Sequence, residues 1–120
     1  MSYAAGPVHF TINCYSQWVA TITWYTNTAK TTAKNITGYT ARMAIRRKQS
    51  DTAALADLTS SSGITMGGSA GTIVIKLTSS QTAGITPGPG VWDLELIDGS
   101  GIVTRFVEGT CSFTPSVTRN

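Results

Sequence analysis

Apolar side chains occupy every second position in most segments of this chain, and that period constrains the fold more than any other feature. In one segment they fall on Trp18, Ala20, Ile22 and Trp24, and the later segment 92–96 repeats the pattern. Successive side chains of a β-strand point to opposite faces, so a period of two predicts strands that bury one face. The sequence therefore predicts an all-β protein.

Turn signals separate the predicted strands at short intervals. Glycine-rich segments at 67–71 and 98–101 predict hairpin turns, and alternating Pro and Gly at 87–90 predict a further turn. A short helical turn capped by Ser79 is expected between two strands. Seven or eight short strands with this spacing predict a two-sheet antiparallel sandwich of the immunoglobulin-like kind.

The chain has the length of one domain. Its 120 residues are enough for a single hydrophobic core and too few for two. We therefore expect one β-sandwich domain spanning residues 1–120, with extended arms at 1–7 and 115–120. The last strand, 102–113, is expected to bulge at Gly109, because glycine inside a strand often marks a bulge.

The apolar positions of the predicted strands define the expected core. Its members are Trp18, Ile22, Trp24, Tyr39, Met43, Ile45, Ile73, Ile75, Trp92, Leu94, Leu96 and Phe106. Aromatic rings bury more area than other side chains, so the tryptophans are expected to supply much of this core.

Charged residues are few, and their balance excludes little by itself. Nine Lys and Arg against six Asp and Glu give a formal net charge of +3, which permits nucleic acid binding without indicating it. We interpret His9, the only histidine, as a partly exposed strand residue, because no nucleophile and acid can be arranged around it. One histidine and two distant cysteines do not have the spacing of a zinc site. We therefore expect no catalytic activity, no metal and no cofactor.

One group of charges falls on the polar faces of the predicted strands. Asp93 and Glu95 share a face of one strand, Arg42 and Arg46 share a face of another, and Arg105 of the last strand is also available to face the two carboxylates. Paired carboxylates also occur in glycoside hydrolases and metal sites. We favour a ladder of cross-strand ion pairs, since the apolar residues of the same strands face the core.

The densest basic run consists of Arg46, Arg47 and Lys48. Three cations at the end of a strand are most often a solvated rim. If this rim binds a partner, an acidic protein surface or a neighbouring subunit fits it as well as DNA does.

The two cysteines, Cys14 and Cys111, lie near opposite ends of the chain. A reducing compartment would keep them as thiols, whereas a fold whose ends meet could join them in a disulfide, and the sequence leaves both open. The first six residues have neither the basic nor the apolar segment of a secretion signal, so we expect synthesis to end in a cytoplasm.

Several phrases of the sequence resemble small structural proteins of tailed bacteriophages and prophages. They are 36–46 (ITGYTARMAIR), 63–73 (GITMGGSAGTI), 92–96 (WDLEL), 103–105 (VTR), 108–109 (EG) and 115–119 (PSVTR). As in those proteins, a strand that ends in tryptophan precedes the first phrase. The resemblance extends over most of the chain, and it points to the N-terminal, immunoglobulin-like domain of phage baseplate upper proteins. That domain attaches receptor-binding or fibre components to a tail.

The resemblance implies a non-enzymatic virion structural protein that acts as an assembly adaptor in the tail, baseplate or head-to-tail region. Its partners would be other virion proteins and copies of itself, in a homo-oligomer within a symmetric assembly, rather than a small-molecule substrate, nucleic acid or a membrane. It would occur in the virion, and in the host cytoplasm during assembly. Two alternatives remain open: a capsid decoration (cement) protein, and a nucleic-acid-binding module that uses Arg42, Arg46, Arg47 and Lys48.

Overall fold

The computed structural model describes residues 3–5, 9–27, 29 and 31–117. Nine strands lie in this part of the chain: β1 Tyr3–Ala5, β2 His9–Asn13, β3 Trp18–Tyr25, β4 Thr40–Arg46, β5 Ala56–Thr59, β6 Ile64–Met66, β7 Thr72–Leu77, β8 Gly88–Ile97 and β9 Val103–Thr114. A 3₁₀ turn, Gly68–Ala70, joins β6 to β7, and a short helix, α1 Ser79–Ala83, joins β7 to β8. The predicted all-β fold is confirmed.

The strands form two sheets, one of five strands in the order β2-β9-β8-β4-β5 and one of four in the order β1-β3-β7-β6. The second order corresponds to the A-B-E-D sheet of immunoglobulin domains, and the run β9-β8-β4 to their G-F-C sheet. All pairings are antiparallel except that of β2 with β9, which run in the same direction. The two-sheet immunoglobulin-like sandwich is thus present, with one parallel pair at an edge.

The core lies between the two sheets, where the sequence pattern placed it. Nine of the twelve expected core residues are buried, and the other three, Trp18, Trp24 and Tyr39, are partly buried and pack against the core. The ring of Phe10 lies 4.8 Å from that of Trp18 and 4.8 Å from that of Trp92, which joins the two sheets at one end. Aromatic contacts of this kind add about 0.5–1.5 kcal/mol each beyond the area they bury.

The N-cap of helix α1 lies one residue earlier than the sequence predicted. The N-cap is Thr78, not Ser79: Thr78 Oγ1 accepts from the backbone N–H of Gln81, and the Gln81 side chain accepts from the backbone N–H of Thr78. Both residues of a reciprocal capping box are therefore present. Thr82 is fully buried. Its hydroxyl accepts from the backbone N–H of Ser16 at 3.1 Å and donates to the backbone carbonyl of Ser16 at 2.8 Å. These bonds hold α1 against the turn between β2 and β3.

The structure corrects two predictions, the turn at 87–90 and the position of the bulge in the last strand. The turn prediction is wrong for 88–90, because β8 already begins at Gly88. Gly90 is a strand residue with no room for a side chain: an added Cβ would lie 2.8 Å from Cys111 Sγ. The bulge of β9 is not at Gly109, which pairs regularly with Trp92, but next to Phe106, where the register with β8 shifts between Leu94 and Glu95.

The cysteines cannot form a disulfide with each other in this fold. Cys111 lies beside Phe10 in the parallel β2–β9 pair, and Cys14 lies four positions further along the chain from Phe10. At about 3.3 Å per residue, that separation is about 13 Å, whereas disulfide-bonded residues have Cα atoms within about 7 Å. Both are buried free thiols, and burial raises the pKa of Cys111 to about 11 against a smaller lowering effect of Arg47.

The expected arms divide between described and undescribed residues. Tyr3–Ala5, inside the expected N-terminal arm, pairs with Thr23–Tyr25 of β3 as strand β1 and so belongs to a sheet. The remainder of that arm, 1–2 and 6–7, and the end of the C-terminal arm, 118–120, lie outside the described residues. Residues 115–117 follow β9 without forming a strand.

Candidate functional site

The outer face of the five-stranded sheet carries most of the acidic residues of the chain, and we call it the charged face. The alternation that buries Met43 and Leu94 turns their neighbours outward. The cross-strand register places these outward residues in three rows: Thr59, Arg42, Glu95 and Arg105; then Asp57, Ala44, Asp93 and Glu108; then Arg46, Val91 and Thr110.

The charged face is concave. A depression of about 780 Å³ extends over it, lined by all three rows. Its cause is a difference in side-chain length, because Ala44 lies directly between Asp57 and Asp93 and is preceded and followed on the same face of β4 by Arg42 and Arg46. The methyl group of Ala44 therefore forms a floor between long charged side chains.

The predicted ion-pair ladder is present in part. Arg42 lies opposite Glu95, and its Nε donates to Glu95 Oε1 at 2.6 Å. Asp93 also has a cationic partner among the arginines that the sequence offered: the Nε of Arg105 lies 3.5 Å from Asp93 Oδ2. Both arginines are more than half exposed, so each pair contributes about 0.2–1 kcal/mol.

Arg46 does not belong to the ladder, which corrects the sequence expectation. The register places it opposite Val91, and its Nη1 donates to the backbone carbonyl of Thr52 at 3.2 Å. The alternation gave the right face for Arg46, but the cross-strand neighbour depends on the register. Sequence reasoning missed the acidic residue Asp57, which lies on a strand of only four residues, too short for the period of two to be evident.

The predicted basic rim is also corrected in one member. Arg47 is engaged within the fold: its Nη1 donates to the carbonyl of Pro89 at 2.6 Å and its Nη2 to the carbonyl of Thr86 at 2.8 Å. These bonds tie the end of β4 to the start of β8. Lys48 is exposed, and its backbone N–H donates to Asp51 Oδ2 at 3.1 Å. Arg46, Arg47 and Lys48 therefore do not act as one cationic surface.

The charges of this face alternate in sign and nearly cancel. The depression is lined by three arginines and four carboxylates, so its formal net charge is −1 on a chain whose net charge is +3. A nucleic acid backbone requires a continuous positive surface. A face that alternates in sign is instead complementary to a protein surface of matching pattern.

His9 lies beside the charged face, at the edge strand β2. Its Nδ1 is 2.7 Å from Thr110 Oγ1 and its Nε2 is 3.4 Å from Ser112 Oγ, and the ring is exposed. Within the described part of the chain, the hydrogen-bond partners of the ring are these two hydroxyls, and both belong to β9. The His9 ring therefore joins β2 to β9 through side-chain contacts.

A second, smaller depression of about 290 Å³ lies where α1 meets the two chain segments after β2 and β9. Tyr15 lines it and has a left-handed backbone conformation, with φ of 65°. In the described ranges, no three His, Cys, Asp or Glu residues are grouped as a metal site, and no helix has the length and apolarity to cross a membrane.

The chain was also compared with known proteins. No model of a known protein family matches it, and no curated protein matches it.

Proposed function

We propose that this protein is a non-enzymatic structural protein of a bacteriophage virion, where it acts as an assembly adaptor in the tail, baseplate or head-to-tail region. The sequence phrases described above suggest this class, and the immunoglobulin-like strand order is the architecture that the resemblance implies. Its partners are other virion proteins and copies of itself.

The observation that carries the proposal is the pattern of the charged face. Arg42 pairs with Glu95, and Arg105 pairs with Asp93 and Glu108, so these arginines are already neutralised within the protein. A polyanion would have to displace carboxylates from them, whereas a protein surface can match both signs at once. This favours a protein partner over the nucleic-acid-binding alternative.

Quantitative mass spectrometry of purified virions tests the proposal, with the copy number calibrated against the major capsid protein. We expect the protein in the particle at a copy number far below that of the capsid protein. A copy number close to that of the capsid protein would instead indicate capsid decoration. Absence from the particle would overturn both structural functions.

The nucleic-acid alternative has its own measurement. Fluorescence anisotropy with a labelled duplex oligonucleotide at increasing salt would show an affinity that falls steeply if several phosphates are neutralised. We expect no binding that depends on Arg42, because its guanidinium is held by Glu95. If the unchanged protein binds the oligonucleotide strongly and Arg42→Gln abolishes that binding, the proposal is contradicted.

A further inference from the structure

Two charges of opposite sign remain unmatched on the charged face, and they lie side by side. Asp57 projects outward from β5, where the next residue, Leu58, is buried, and it has no ion pair with the described residues. The guanidinium of Arg46 donates to the carbonyl of Thr52 through one N–H. Since a guanidinium has five N–H groups, Arg46 can donate to a further acceptor.

The distance between these two groups follows from the register. Asp57 lies directly opposite Ala44, and Arg46 lies two positions beyond Ala44 on β4. Asp57 and Arg46 are therefore diagonal neighbours, whose backbone positions are about 7–8 Å apart in an antiparallel pair. Both line the depression and adjoin the floor that Ala44 forms, Asp57 across the strand pair and Arg46 two positions along β4.

An extended polypeptide has a matching period. Side chains two positions apart in a strand point to the same side and are separated by about 6.5–7 Å. A basic residue in such a segment can approach Asp57 while an acidic residue two positions away approaches Arg46. The small side chain of Ala44, which adjoins both residues, leaves room beside them for the backbone of the segment.

We propose that the charged face docks an extended segment of another protein that carries a basic and an acidic residue two positions apart. This proposal rests on the proposed function for the source of the segment, another virion protein. These 120 residues do not supply such a segment, since no Lys or Arg among them is followed or preceded at two positions by Asp or Glu.

The test uses the full chain labelled with ¹⁵N and three capped pentapeptides, TRTET, TRTRT and TQTQT. We expect TRTET to shift the backbone amide signals of Ala44, Asp57 and Arg46 in a saturable way. TRTRT lacks one complementary charge and should bind about two- to fivefold more weakly, as expected for one exposed ion pair. TQTQT lacks both charges and should bind more weakly still.

Variants with matched controls identify the two contacts. Asp57→Asn and Arg46→Gln should each weaken TRTET binding about two- to fivefold. Thr21→Lys and Lys76→Gln make the same changes in net charge on the exposed outer side of the other sheet, and they should leave binding unchanged. The amide spectrum of each variant also reports whether the fold is retained.

Three results would overturn the docking proposal: no saturable shift at Ala44, equal binding of TRTET and TRTRT, or equal effects of Asp57→Asn and Thr21→Lys. If the peptides fail to bind but the protein is present in virions, the docking surface alone is wrong. If TRTET binds as expected but the protein is absent from virions, the assembly function is wrong and the docking surface stands.

Discussion

Arg105 and Glu108 lie on the same face of β9, with Arg105 Nη1 3.7 Å from Glu108 Oε2, although three positions separate them along the chain. In a regular strand an odd separation places two side chains on opposite faces. The bulge next to Phe106 adds one residue to β9 at this point and restores the shared face. It thereby places a third arginine on the charged face, within reach of Asp93.

We expect Arg105→Met to lower the free energy of unfolding by at most about 1 kcal/mol, because the ion pairs of Arg105 are exposed. Urea unfolding at low salt and at about 1 M NaCl, where the Debye length is about 3 Å, measures the effect. The loss should shrink at high salt. An equally large loss at both salt concentrations would show that Arg105 acts through packing instead.

Arg47 should contribute more to stability than the exposed ion pairs do. Its two guanidinium hydrogen bonds, to the carbonyl of Thr86 before β8 and to that of Pro89 within β8, hold the end of β4 to the start of β8. Arg47→Ala removes both, and hydrogen bonds to charged groups contribute about 1.5–3 kcal/mol, so we expect a loss of about 1–3 kcal/mol for this partly exposed side chain. Thermal or urea unfolding measures it.

Lys48→Ala is the matched control for Arg47→Ala, since Lys48 is exposed and adjacent in sequence. Substitutions at such surface positions usually change stability by within about 0.5 kcal/mol. Arg47→Lys keeps the charge but cannot form both bonds in the fork geometry of a guanidinium, so it should recover only part of the loss. Full recovery by lysine would show that charge alone matters here.

Gly71 has a backbone conformation that other residues adopt with difficulty. Its φ is 69°, and an added Cβ would lie 2.7 Å from the carbonyl oxygen of Lys34 and 2.9 Å from that of Trp24. Gly71→Ala should lower the free energy of unfolding by about 1–3 kcal/mol or more, because backbone atoms cannot move aside easily. Gly99→Ala, where a Cβ meets nothing within 4 Å, should cause little change in the same urea experiment.

The thiol of Cys111 should make stability depend on pH in the alkaline range. Burial raises its pKa from 9.0 to about 11, so the unfolded chain releases this proton at a lower pH than the folded protein does. The contribution of the neutral thiol is complete below about pH 9 and is lost as the pH rises through about 11. Urea midpoints measured from pH 8 upward should fall less steeply in Cys111→Ala than in the unchanged protein.

Cys14→Ala is the comparison for the alkaline series, because it retains the Cys111 thiol and should retain its share of the pH dependence. The unchanged protein, which has both thiols, tests the free state of the cysteines. Under oxidising conditions the intact mass of the folded protein should show no intramolecular bridge, since the register holds the two residues about 13 Å apart. A monomer two mass units lighter would contradict the register.

The sequence was sufficient to predict the fold class and which face of each long strand is buried. In β4 the period of two extends over seven residues and in β8 over 92–96, so the alternation of Met43 and Leu94 with their outward neighbours is unambiguous. The irregular positions were not predictable in the same way. Gly90 lies in a run of alternating Pro and Gly that is typical of turns. It is nevertheless a strand residue, and its lack of a side chain makes room for Cys111.

The candidate site was predicted only in part for a related reason. The faces of Arg42, Arg46 and Glu95 follow from alternation, but which residues lie opposite each other depends on how far each strand is shifted along its neighbour. Arg42 meets Glu95, while Arg46 meets Val91. The position of Arg105 depends further on a one-residue bulge, which no local pattern in the sequence marks.

The parallel pairing of β2 and β9 determines how this domain can be joined to others. His9 lies beside Thr110 and Asn13 beside Thr114, so the chain runs towards the same pole of the sandwich in both strands. β1 precedes β2 and begins at the pole where β9 starts, because Trp24, the partner of Ala4, contacts Phe106 of β9. A segment attached ahead of β1 therefore approaches from that pole, and a segment attached after β9 departs at the other. Modules linked in series through these two ends would therefore extend as a rod, with each domain separating its neighbours along the axis.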